Sequence, residues 1–233
     1  VPTVTIDEIA IADEPQRWAA LGFALSGDSA QIGGVVLSFA GAHAGKGIVS
    51  WSLREIAGTE LDGLPTSRSE RAPRAPVPAH PNGVCAIDHV VAFTPAFERS
   101  VHALRSAGLD LRRVREQPTP AGAPRQAFFR LGAEILELVQ QPDDIVKRSG
   151  AGDGPALFWG LALLSEDLDR TVAQLGEHAG EPRAAVQPGR RIATVRRSAG
   201  LSVALALMSR RDSGGGDAGA TDASDEQPGG DDR

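Results

Sequence analysis

His89 sits inside the run AIDHVVAF (residues 86–93), whose other members read as a buried β-strand. An imidazole on such a strand must find a partner, either a hydrogen bond within the fold or a metal ion. Strand alternation turns Asp88 away from His89, toward solvent or a neighbouring turn. His43, His80, His102 and His178 fall in loops or on helices, with no metal-ligand spacing among them. Cys85 is the single cysteine; it can form no internal disulfide and reads as a small buried filler. GAHAGKG (41–47) imitates a phosphate loop but lacks one residue between Gly41 and Gly45, carries Gly47 where Ser or Thr belongs, and leads into a strand. It is rejected on those grounds. Arg112, Arg113 and Arg115, with Arg190, Arg191, Arg196 and Arg197, alternate along strands; solvated faces explain them, and some could bind a carboxylate or phosphate.

The elements that must position His89 recur along the chain. One block contains TIDEIAIADEPQRWAALGF and later IGGVVLSFA; the next contains AIDHVVAFTPAFERSVHALRSAGL and later RQAFFRLGAEILELV. The third contains LFWGLALLSEDLDRTVAQLGE and later RIATVRRSAGLSVALALM. Each opens with a short apolar strand, followed by a polar turn and a helix with apolar residues three or four apart. These are Phe97, Val101 and Leu104 in the second block, and Leu168, Val172 and Leu175 in the third. Strands are predicted over 111–115, 125–130 and 134–139, with Gly132 at the last turn. RQAFFR mirrors RIATVR, and LGAEILELV aligns without gaps on IGGVVLSFA. Each block thus reads βαβββ, and the fold class is α+β: tandem modules forming curled mixed sheets, helices outside.

The predicted organisation is a degenerate N-terminal module (1–61), a proline-rich linker (62–83), a paired domain (84–210, from modules 84–141 and 155–210) and a disordered acidic tail (211–233). The linker carries five prolines, which favour extended chain. The short connection between the second and third blocks favours their pairing. Residues 47–62, GIVSWSLREIAGTELD, resemble the start of the third block and could be the stub of a fourth module that pairs with the first.

Formal net charge is −6, and the segment Asp212–Arg233, with seven acids and one arginine, accounts for all of it. No basic field is left that would suggest nucleic acid. No apolar run approaches membrane-spanning length and no secretory leader is evident, so a cytoplasmic location is expected. Only Lys46 and Lys147 stand against a large excess of arginine, which fits the coding bias of a GC-rich bacterial genome.

The tandem unit opening on IDHVV and closing on EILELV resembles the vicinal oxygen chelate superfamily, the group of glyoxalase, bleomycin-resistance protein and extradiol dioxygenase. The resemblance implies paired modules enclosing a cup, with a divalent metal held by first-strand and last-strand side chains. Adjacent substrate oxygens would bind that metal. It places His89 at the first-strand ligand position and Glu137 at the last-strand position, where Ile135, Glu137 and Val139 share a face. The third block offers Gly160, Ala204 and Ala206 instead, whereas the first offers Glu8 and Ser38. Arg125 and Arg130 are candidates to pair with Glu137 or hold substrate, and Trp159, beside Phe158, is a core residue or the floor of an apolar pocket. A metal-dependent enzyme, a metal-free small-molecule binding or sequestering protein, and a homodimerising domain all stay open.

Overall fold

The computed structural model describes residues 3–118, 122–150 and 152–211; the acidic tail predicted from 211 lies outside them but for its first residue. The N-terminal half comprises β1 (Thr5–Ile11), α1 (Pro15–Ala20), β2 (Ser29–Ile32), β3 (Val35–Phe39), β4 (Ile48–Arg54) and β5 (Thr66–Arg68). A second unit follows: β6 (Val84–Thr94), α2 (Phe97–Ser106), β7 (Asp110–Arg115), β8 (Gln126–Leu131) and β9 (Glu134–Gln140). Helix α3 (Asp143–Ser149) leads into β10 (Leu157–Ser165), α4 (Leu168–Leu175), β11 (Arg183–Ala184), β12 (Arg191–Thr194) and β13 (Ala204–Ser209).

These strands form two mixed sheets, ordered β2-β3-β1-β4-β5 and β11-β12-β13-β10-β6-β9-β8-β7. In the larger sheet each module lays its last strand parallel to its first, β9 on β6 and β13 on β10. The two first strands then pair antiparallel at the centre. The second and third blocks are therefore the halves of one sheet.

The smaller sheet repeats the central strands of the larger one. Strand β3 lies parallel to β1, β5 parallel to β4, and β1 pairs antiparallel with β4. Registers match residue for residue. Ile6 faces Leu53 and Glu8 faces Ser52 with Asp7 skipped, just as Ile87 faces Leu163 and His89 faces Ala162 with Asp88 skipped. A second shift skips Val49 in β4 and Trp159 in β10. An extra residue at the same two places in both sheets makes the bulges part of the repeat.

Periodicity explains which face of each sheet is covered. Phe97, Val101 and Leu104 of α2 are buried, as are Leu168 and Leu175 of α4, whose N-cap Asp167 accepts from the Arg170 amide. They join Leu136 and Leu138 of β9 and Leu205 and Leu207 of β13 in one core, which also takes in Trp18, Trp51 and Ile9 of the N-terminal half. A hydroxyl pair ties strand end to helix in both modules: Thr94 with Ser100 at 2.5 Å and Ser165 with Thr171 at 2.7 Å. Opposite the helices the larger sheet presents a second, more open face, on which Trp159 is exposed while Val91, Val139 and Ala162 are buried.

The proline-rich stretch is not a free connector. It contributes β5, and beyond it Gln31 donates to the Ala75 carbonyl and the Val77 amide to Gly33. His80 is buried, accepting from the Ala24 amide at Nδ1 and donating from Nε2 to the Gln31 carbonyl. Prolines lack donors, but groups of the sheet supply the bonds that pin this segment. Asp13 joins the halves, accepting from the Trp18 indole at 3.1 Å and the Ser202 amide at 2.6 Å. Among the described residues no helix is long and apolar enough to cross a membrane.

Candidate functional site

The bulge at Asp88 shapes the site. Ile87 and Val90, three apart, both enter the core, so Asp88 is the extra residue and turns toward the same side as His89. This corrects the expectation that Asp88 points away from His89, although it does reach a neighbouring turn, through Arg190. Its Oδ2 accepts from His89 Nδ1 at 2.8 Å, and its Oδ1 from Arg190 Nη2 at 2.6 Å. Burial pushes the Asp88 carboxyl up, but the His89 and Arg190 hydrogen bonds and their charges outweigh it and hold it below the ordinary range. An ionised carboxylate only accepts, so Nδ1 carries a proton and Nε2 is the free end of the ring.

That free end faces Glu137. His89 Nε2 lies 3.4 Å from Glu137 Oε2, and Glu137 Oε1 accepts from Gln126 Nε2. Burial pushes the Glu137 carboxyl up, and the Asp88 charge adds to this; His89, the Gln126 bond and Arg115 only partly oppose it. The side chains of Asp88, His89, Glu137 and Arg190 are each between 14% and 18% exposed, a half-sheltered row and not a surface cluster. A proton can pass between an imidazole Nε2 and a carboxyl whose affinity for protons burial has raised, so the row suits acid–base work or gripping a ligand oxygen.

The rest of the open face is apolar. Val91 and Val139 pack with Ala123 and Phe93, and the Phe93 and Trp159 rings stand 5.3 Å apart. Trp159 is 52% exposed, so it forms a wall of the face and not part of the core. Phe158 points the other way, edge-on to Trp51 at 5.1 Å. Across the ladder from His89 stands Ala162, and from Val91, Gly160. A Cβ on Gly160 would overlap the Ala204 carbonyl, so the close approach of β13 excludes any side chain there.

Two donors bound to one ion at about 2.1 Å and a tetrahedral angle stand about 3.4 Å apart. The His89–Glu137 spacing therefore suits two ligands of one cation, with Asp88 orienting the imidazole as metal-bound histidines require. The other half of such a shell does not fit, because Gly160, Ala162, Ala204 and Ala206 offer no donor atom from a side chain. Among the described residues no three His, Cys, Asp or Glu side chains gather to hold an ion, since Asp88 is committed to Nδ1 and Arg190.

The other sequence candidates are placed elsewhere. Glu8 lies in the smaller sheet, paired with Arg71 at 2.9 Å, and is not brought to His89 and Glu137. The first module pairs with β4, not β6, and this separates them. Arg125 is drawn to the helix side, bonded to Glu98 at 2.6 Å and Gln140 at 2.9 Å, its guanidinium 4.3 Å from the Phe97 ring centre. Arg130 is exposed and donates to the Gly132 carbonyl. Neither contacts Glu137. Gln126 and Arg190 are the partners that sequence reasoning missed. Alternation in QAFF put Gln126 on the face of Phe128, but no pattern announced that a residue before β12 reaches Asp88.

No protein-family model and no curated protein matches the sequence. Among solved structures, a xylose isomerase-like TIM barrel/4-hydroxyphenylpyruvate dioxygenase fusion protein is 12% identical, with a TM-score of 0.59. The match covers 92% of this chain and 51% of that one, so this chain spans about half its length. A methylmalonyl-CoA epimerase from Mycobacterium tuberculosis matches at 18% identity and a TM-score of 0.44, covering 55% of this chain and 89% of that one. A single-substitution variant of the Streptomyces coelicolor methylmalonyl-CoA epimerase, in complex with 2-nitronate-propionyl-CoA, matches at 20% and 0.44, covering 55% and 96%. With its paired βαβββ modules and the smaller copy of their central strands, the chain has the fold of the vicinal oxygen chelate superfamily.

Proposed function

We propose that this protein binds a small molecule with an apolar body and an oxygen-bearing end on the open face of the larger sheet. One observation carries the reading: the Asp88–His89–Glu137 row opposes a wall of Phe93, Trp159, Gly160 and Ala162 that has no charged side chain. The row grips the oxygen and the wall covers the body, the usual division of labour in small-ligand sites. Arg190 and Gln126 hold the outer carboxylates, so the row is fixed before the ligand arrives. Nucleic acid and membrane are not partners in this reading, and the protein is cytoplasmic. The 3.4 Å spacing supports a second reading, in which His89 and Glu137 hold a divalent ion whose shell the ligand completes. Such an ion would supply Lewis-acid stabilisation of an oxyanion.

Trp18 and Trp51 are buried and Trp159 is exposed on this face, so the difference between the parent protein and Trp159→Phe isolates its emission. An anilinonaphthalene sulfonate probe should take energy from Trp159, with transfer reduced in Trp159→Phe and binding weakened about tenfold or more in His89→Ala, which removes the ring facing the ligand. Binding unaffected by either substitution sinks the proposal. Repeating the titration with Mn²⁺ or Zn²⁺ separates the two readings: tighter binding with metal in the parent protein alone selects the second.

A further inference from the structure

The open face of the smaller sheet has a chemistry of its own. Its register assigns each position a counterpart in the larger sheet. Glu8 stands where His89 does, Ser50 where Gly160 does, Ser52 where Ala162 does, and Ser67 where Ala206 does. The fold tolerates glycine and alanine at these positions, so packing does not impose the hydroxyls. A cleft of about 460 Å³ lies against them, bounded by Asp7, Glu8, Ala10 and the segment 67–71. That volume is within the range of small-ligand sites, roughly 300–1,000 Å³.

Of the charges bordering the cleft, Asp7 and Glu8 are paired, while Arg68 donates to the Ala57 carbonyl and the exposed Glu70 has no ion-pair partner among the described residues. Asp7 is fully buried and bonded to Arg54, Arg74 and Ser69, and Glu8 is paired with Arg71. Asp7 and Glu8 therefore offer an ion no uncompensated charge, and the two remaining charges, Arg68 and Glu70, are of opposite sign. Ser50 and Ser52 make no side-chain hydrogen bond with the described residues, and Ser67 makes only a long one, 3.5 Å to the Trp51 carbonyl. Hydroxyls free both to donate and to accept, in a neutral cleft, match a partner that does the same. We propose that the smaller sheet carries a second binding site, for a neutral polyhydroxylated molecule of monosaccharide size, on Ser50, Ser52, Ser67 and the Glu8 carboxylate. The site is independent of the one around His89.

The Trp51 backbone lies between Ser50 and Ser52 at the cleft, its side chain turned into the core, whereas the Trp159 ring stands on the other sheet. The Trp51 backbone amide and Trp159 indole N–H resonances in a ¹H–¹⁵N spectrum therefore resolve the two sites. The probes are D-glucose, D-ribose and myo-inositol, each titrated into the full chain, with inorganic phosphate as the charged comparison. At least one polyol should shift the Trp51 amide resonance saturably and leave Trp159 in place. The double variant Ser50→Ala, Ser52→Ala takes residue types close to those its counterparts carry, and should weaken that midpoint about tenfold for two lost hydrogen bonds. No Trp51 shift with any of the three polyols overturns the proposal, as does a shift that the double variant leaves unchanged. A shift of Trp159 alone overturns it by placing the ligand on the other sheet, and a shift with phosphate alone overturns the neutral class.

Discussion

Asp7→Asn tests the network that ties the proline-rich segment to the smaller sheet. Asp7 is the extra residue of the β1 bulge, fully buried, and its carboxylate takes Arg54, Arg74 and Ser69. The contributions differ with exposure. Arg71, 62% exposed, and Arg74, 29% exposed, return to water when the carboxylate is neutralised, so each costs well under about 1 kcal/mol. Arg54 is 6% exposed and cannot do so. Breaking a buried pair from one side costs about 3–5 kcal/mol, because the other charge stays behind. Arg54 retains two acceptors, the Ile6 carbonyl at 2.8 Å and the Arg71 carbonyl at 2.9 Å, which sets the expectation at the low end, about 3 kcal/mol. For a chain of this size that lowers Tm by about 6–12 °C. Urea denaturation gives the free energy directly. A cycle with Arg54→Met supplies the control: with both groups gone no charge is stranded, so the double variant should recover about 2 kcal/mol of the summed losses. Burial pushes Asp7 up, but the Ser69 and Arg74 hydrogen bonds and the Arg54 and Arg74 charges hold it below its ordinary value. The stabilisation is present above pH 3.8 and is lost as pH falls through the lower folded value, so parent and Asp7→Asn should converge in acid. A loss under about 1 kcal/mol, or strict additivity in the cycle, refutes the assignment of Arg54 as the stranded charge.

Two further outcomes follow from buried titrating groups. Glu137 has its folded value raised by burial, so the native state binds the extra proton and stability falls as pH rises from the ordinary 4.5 through the folded value. Glu137→Gln should equal the parent below that window and exceed it in stability above, in urea midpoints taken across pH; a variant less stable at neutral pH contradicts this. His80 has its folded value lowered by burial, with the Gln31 carbonyl opposing, because Nδ1 already accepts from Ala24. Stability should decline as pH falls below 6.5 and level off beneath the folded value, with His80→Gln removing that slope from the difference curve; an unchanged slope shows that another group is responsible.

Local pattern carried the repeat a long way. The spacing of Phe97, Val101 and Leu104 and the alternation in EILELV put α2 and β9 in place, because side-chain period and burial are properties of a single element. The same alternation turned Glu137 to the face of Val139 and away from Leu136 and Leu138. It failed at Asp88, where period two assumes no bulge. The buried pairs Ile6–Ile9 and Ile87–Val90, three apart within strands, were the sign to read.

What the sequence by itself determined was the βαβββ order, the faces of the regular strands and the presence of His89 and Glu137. Those follow from residue types and spacings that act within one element. Only the tertiary structure decided that β4 and β5 complete a reduced second sheet and hold Glu8 apart from His89, since strand partners are chosen across the whole core. It alone brought Arg190 across 102 residues to Asp88, and set Ala162 across the ladder from His89 and Gly160 across from Val91. Pairing and long-range charge are settled by packing, and no local period encodes them.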